Sequence, residues 1–79
     1  MEIAVDKYLD ASGLLCPEPI MLLHKTVREV PVGSIIQVVT TDPSTLRDIT
    51  KFCHFLGHEL LRHEERAKDY VFYIKKAEP

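Results

Sequence analysis

The chain has 79 residues, 10 basic and 12 acidic side chains for a net charge of -2, and a hydrophobic fraction of 46%. That length predicts one domain over residues 1–79, and the composition is that of a globular chain rather than a disordered or fibrous one. The charge offers no broad basic surface for a nucleic-acid backbone, no apolar run nears the length of a membrane span, and the Met1–Asp6 segment lacks signal-peptide layout, so a cytoplasmic protein without membrane or direct nucleic-acid ligands is expected.

Ile3 to Leu9 reads as a weak first strand with Ile3, Val5 and Leu9 on one side, followed by turn chemistry in Asp10-Ala11-Ser12-Gly13. Next comes Cys16-Pro17-Glu18-Pro19. A residue before proline is pushed towards extended geometry, which suits an N-cap, so Cys16 is expected to cap a helix with Pro17 at the first position and Pro19 at the third. The amides of Glu18 and Ile20 and the positive end of the helix dipole then favour an anion at the Cys16 sulfur and a depressed thiol pKa, which a folded-back Glu18 carboxylate would oppose. Gly13 permits a close turn before this corner, and the two prolines stiffen it, so the sulfur is expected to face outwards.

The positions Ile20, Leu23, Val27 and Val30 make the apolar stripe of the helix, which Pro31 and Gly33 end. Residues 35–40 are β-branched and nearly continuous in hydrophobicity, as in a covered central strand. Asp42-Pro43 reads as a second N-cap and first position, the stripe Leu46, Ile49, Cys53 and Leu56 follows, and Gly57 closes the helix. His58 to Glu65 and Tyr70 to Lys76 read as strands joined by the polar turn at residues 66–69. The order β-α-β-α-β-β points to an α+β two-layer sandwich, a mixed four-stranded sheet with two helices on one face.

Two cysteines are too few for a disulfide framework and too far apart for a Cys-x-x-Cys pair, which suits a reducing compartment. Cys53 sits inside an apolar stripe and is expected in the core, which makes a redox pair with Cys16 poorly placed. His24 lies roughly 12 Å along the helix from Cys16 at 1.5 Å per residue, which gives a hydrolytic Cys-His site little support. His54 and His58 have the spacing of two metal ligands, but Gly57 interrupts their helix and further ligands would have to converge from elsewhere, so no metal site is expected.

The residues Leu9-Asp10, Gly13-Leu14, Cys16-Pro17 and Pro19, with Lys25-Thr26-Val27-Arg28, Asp42-Pro43, Arg47-Asp48-Ile49, Phe52-Cys53 and His58-Glu59-Leu60, resemble the pattern of the TusA/SirA-like sulfur-carrier family across nearly the whole chain. The resemblance implies the same two-layer sandwich, similar to the C-terminal domain of translation initiation factor 3. It further implies a sulfurtransferase-like carrier rather than a turnover enzyme, in which Cys16 takes persulfide sulfur from a cysteine desulfurase and passes it to a downstream carrier towards tRNA 2-thiouridine. Pro17, Pro19 and Gly13 would frame the cysteine, and Glu18, Lys25 and Arg28 would be candidate partner contacts. No cofactor is implied in this chain, because pyridoxal phosphate would belong to the desulfurase. The chain departs from many members at Leu15, where they carry Arg or Lys, which leaves the helix terminus to lower the thiol pKa. The alternative is a non-catalytic interaction module in which the helix face of Met21, Leu22, Lys25 and Arg28 binds a partner.

Overall fold

The computed structural model describes residues 3–78; Met1 and Glu2 of the N-terminal segment read above, and Pro79 at the other end, lie outside the described residues. The elements are β1 (Lys7–Ala11), α1 (Glu18–Glu29), β2 (Ile35–Thr40), α2 (Thr45–Leu56), β3 (Glu59–Glu65) and β4 (Tyr70–Lys75), in the expected order. They build one mixed sheet of order β1-β2-β4-β3, in which β1 runs parallel to β2 and the other pairs are antiparallel. A parallel pair needs a crossover, and α1 supplies it between β1 and β2. Because β2 and β3 both run antiparallel to β4, α2 is a second crossover, and β4 fills the gap between the strands it joins.

Strand alternation decides which side chains the helices cover. Along β2, Ile36, Val38 and Thr40 are buried while Ile35, Gln37 and Val39 are half-buried on the opposite face. The antiparallel register sets Phe72 beside Val38 and Ile74 beside Ile36. Onto these four pack Leu23 and Val27 from α1 and Ile49, Phe52 and Cys53 from α2, in one cluster that places both helices on the same face. Each such large apolar side chain contributes about 1.5–3 kcal/mol by leaving water. The other face stays open, with Tyr8 70% exposed.

Four strand boundaries differ from the expectation. β1 starts at Lys7 rather than Ile3, because Asp6 pins the chain beside the start of β2: its N–H donates to Ile35 O at 2.8 Å, and its Oδ2 accepts the Ile35 N–H at 2.8 Å. The strand therefore runs on through Asp10 and Ala11, which the reading gave to the turn, and Ala11 is fully buried. β3 begins at Glu59, since the preceding His58 is engaged by the Ala77 N–H at its Nδ1 (3.1 Å), and β3 carries an irregularity between Leu60 and Arg62. β4 ends at Lys75. In α2 the stripe closes on Phe52 and Cys53, whereas Leu56, expected in the core, is 39% exposed. Gly57 ends α2 as anticipated, in the left-handed conformation (φ 76°). The turn after β3 is closed by Arg66 N–H to Asp69 O (2.9 Å) and by two bonds from the Arg66 guanidinium to the Asp69 carboxylate (2.6 and 2.8 Å).

Candidate functional site

The chain leaves β1 through a short loop whose conformation is set by local side-chain bonds. Asp10 Oδ1 accepts the Ser12 N–H at 3.0 Å, and Leu14 N–H reaches back to Ala11 O at 3.3 Å. Gly13 adopts φ 81°, a region L side chains rarely enter, and its N–H donates to Thr41 Oγ1 at 2.8 Å. This bond ties the loop after β1 to the loop after β2. A second tie lies three residues on, where the Cys16 N–H donates to Asp42 Oδ2 at 2.7 Å.

Asp42 is the hub. Its Oδ1 accepts the Ser44 N–H at 3.0 Å, and its carbonyl accepts from Thr45 Oγ1 at 2.6 Å, while Thr45 and the buried Thr40 share a hydroxyl bond at 2.7 Å. From its sequence, Asp42 is expected as the N-cap of the second helix. In the structure Ser44 occupies that position, because Asp42 and Pro43 form a turn before α2 and the Asp42 carboxylate is divided between Ser44 and Cys16. The Asp42 carboxyl is accordingly held below the usual carboxylate range, first by the Ser44 amide and then by the Cys16 amide.

α1 is likewise shifted by one residue. Cys16 lies in a turn in which Glu18 N–H donates to Leu15 O at 2.9 Å, Pro17 takes the N-cap position, and Pro19 is second in the helix. The Glu18 amide is thus spent on the turn and does not solvate the sulfur. The Cys16–Pro17 peptide is cis. Pro19 is buried against the fold and Pro17 is exposed.

The Cys16 thiol is exposed, as the sequence suggested, but its pKa moves the other way. It is raised, first by the neighbouring Asp48 side chain, then by desolvation and by the charges of Asp48 and Asp42; the Ser44 side chain acts in the opposite sense. The expected helix-terminus depression is overcome because the negative charges of Asp48 and Asp42 oppose a thiolate and no cation precedes it at Leu15.

Cys16 sits on the rim of an apolar groove of ≈ 380 Å³ between the two helices, lined by Ile20, His24, Phe52, Phe55 and Leu56 among others. His24 therefore shares a groove with the cysteine, which spacing along one helix did not convey; its ring meets Phe52 edge-on at 4.7 Å. Phe55, 77% exposed, extends the apolar lining, and Leu15, next to Cys16 in the chain, is 69% exposed. Glu18, Lys25 and Arg28 are all exposed on α1, and Arg28 lines a neighbouring groove with Val27, His58 and Lys76 rather than the groove at Cys16. Cys53 is buried, and its thiol is pushed up to about 11 by desolvation. Among the described residues no group of three or more His, Cys, Asp and Glu side chains converges as a metal site would require.

Sequence reasoning missed Asp48, Ser44 and Phe55 as neighbours of the cysteine. An acidic residue in the first turn of the second helix was visible, but nothing in the spacing says that this helix starts beside the first one.

The family model for sulfurtransferase TusA matches residues 7–76. Curated sulfur carrier proteins TusA resemble the chain closely: that of Pseudomonas entomophila is 59% identical over 71 residues, covering 90% of this chain and 89% of the relative. That of Pseudomonas aeruginosa is 54% identical over 76 residues, covering 96% of each. A crystal structure of a SirA-like protein from Desulfitobacterium hafniense superposes with a TM-score of 0.81 at 20% identity, over 92% of this chain and 100% of that one, and shares the fold. With a matched segment from the start of β1 to just beyond β4, and the Cys16 corner within it, the chain belongs to the sulfurtransferase TusA family.

Proposed function

We propose that this chain is a sulfur carrier that accepts sulfur as a persulfide on Cys16 from a cysteine desulfurase in the cytoplasm and passes it to a downstream carrier for 2-thiouridine synthesis in tRNA. The observation that carries the reading is an exposed thiol whose own backbone N–H is clamped by Asp42 at 2.7 Å, at the edge of an apolar groove open to a visiting protein. A relay needs a sulfur that two different partners can reach in turn, and a fixed, protruding corner provides that.

The chemistry is exchange without net oxidation. Cys16 Sγ attacks the outer sulfur of the donor persulfide; the new Sγ–S bond forms as the donor S–S bond breaks, and the departing donor thiolate takes up the proton that Cys16 gives up. Release repeats the step with an acceptor thiol attacking the outer sulfur. Pro17, Pro19 and Gly13 hold the corner, and Glu18, Lys25 and Arg28 are surface positions at which partners would meet α1. Incubation with a cysteine desulfurase and cysteine, followed by intact mass measurement, should add one sulfur atom to the wild type and none to Cys16→Ser.

A second reading, a binding module without sulfur chemistry, draws support from Met21, 63% exposed on the same helix as Lys25 and Arg28. It requires that Cys16→Ser keep full function in cells that depend on the protein.

A further inference from the structure

Leu56 ends the apolar stripe of α2 yet is 39% exposed, and it lines a second groove, of ≈ 420 Å³, beside the one at Cys16. Val27 and Phe52 join it as the apolar lining, and every other lining residue is basic: His24, Arg28, His58 and Lys76. No carboxylate lines this groove, and none of the ion pairs among the described residues takes up Arg28 or Lys76. In a chain of net charge -2 this is a local excess of positive charge. The basic groups are held in place. Lys76 Nζ donates to Val30 O at the end of α1 (2.7 Å), which leaves its other hydrogens for a ligand. His58 Nδ1 accepts the Ala77 N–H at 3.1 Å, so the neutral ring carries its proton on Nε2 and is a donor there. The His58 pKa is lowered, first by desolvation and then by the charge of Lys76.

His24, Phe52 and Leu56 also line the groove at Cys16, so the two grooves join along the seam between the helices. From Ile20 to Arg28 the seam runs about 12 Å at 1.5 Å per residue, the reach of about four residues of extended chain. A free anion would leave the apolar lining uncovered; a chain segment covers it and meets the charges as well. We propose that this groove docks a partner protein by an extended acidic segment, with carboxylates for Arg28 and Lys76 beside apolar side chains for Val27, Phe52 and Leu56. Opposite charge speeds the encounter and fixes which way the segment runs. Continuing along the seam, the segment leads to Cys16, so a visiting sulfur is brought to the thiol by contacts made outside the reacting corner. That purpose rests on the carrier reading, whereas the groove and its charge do not.

The test is a titration of the full unloaded chain with the capped peptide Glu-Glu-Leu-Phe-Glu-Glu, followed through the NMR ring signals of its four histidines. Those of His24 and His58 should shift saturably, while those of His54 and His63, which line neither groove, stay in place. The matched peptide with Gln for Glu should bind about tenfold more weakly, and so should the acidic peptide to Arg28→Glu. Lys68→Glu makes the same change of charge in the exposed turn after β3 and should stay within about twofold of wild type. Affinity should fall as salt rises, and this decides the matter if Arg28→Glu does not fold. Unmoved His24 and His58 signals, equal binding of the Gln peptide or binding indifferent to salt overturns the proposal. Inorganic phosphate that displaces the peptide at equal concentration overturns it too, by making the groove a small-anion site. The same holds for shifts produced by raising the protein concentration alone, which would give the groove to a second copy of the chain. A protein that binds the peptide but never accepts sulfur would sink the carrier reading alone, whereas one that loads Cys16 and ignores the peptide would sink this groove alone.

Discussion

The Asp42 carboxylate accepts the Cys16 backbone N–H at 2.7 Å across 26 residues of sequence, and the same carboxylate fixes the start of α2 through Ser44. One side chain thus sets where the reactive sulfur stands relative to the second helix. Its pKa is lowered from 3.8, so its contribution to stability is fully present above that value and is lost as pH falls through the lower folded value. In Asp42→Asn this acid-labile part should be missing. Urea midpoints should differ between the two proteins at neutral pH and converge below pH 3.8; a gap that persists in acid would show that the clamp does not act through the carboxylate. Asp10 and Asp69 are lowered in the same direction and remain in the variant, so only the difference between the proteins isolates Asp42.

The element order, the helix stripes and the exposed cysteine were legible because each is a local or periodic property: Leu23 and Val27 on one helix face, Phe72 and Ile74 on one strand face. What could not be read was long-range polar pairing. Asp42 in front of Pro43 has the local signature of a cap, and the bond to Cys16 exists only because β1 and β2 are parallel neighbours whose ends bring both loops to one edge. The sign of the Cys16 shift failed for the same reason, since its causes, Asp48 and Asp42, belong to a different helix start.

The two cysteines should separate cleanly in a labelling experiment. Cys16 is exposed and Cys53 is 3% exposed with a thiol pushed up to about 11, so brief iodoacetamide treatment of the native protein should add one adduct, on Cys16. Unfolding in urea should expose the second. Two adducts on the native protein would mean that the α2 core face opens readily. Cys53→Ser, which places a hydroxyl in the apolar cluster, should cost about 1–3 kcal/mol in urea unfolding.

Gly57 ends α2 at φ 76° with open space where a Cβ would stand, so a substitution there meets backbone strain and no clash. Gly57→Ala should therefore destabilise by about 1–2 kcal/mol, the cost of the left-handed region for an L residue. Cys16 alkylation should be unchanged. A variant as stable as wild type in thermal unfolding would show that the chain relaxes out of that conformation.

Phe55 is 77% exposed on the groove beside Cys16, an arrangement that costs a free protein apolar hydration and returns it only when a partner covers the ring. Aromatic side chains at the centre of a docking site often carry more than 1 kcal/mol of binding, so Phe55→Ala should slow protein-to-protein sulfur transfer by about tenfold at limiting partner concentration. Because the ring is not in the core, stability and the rate of small-molecule alkylation at Cys16 should stay at wild-type values. That split separates docking from chemistry: a loss of alkylation would place Phe55 in the support of the cysteine, and unchanged transfer to and from partners would remove this groove from the docking surface.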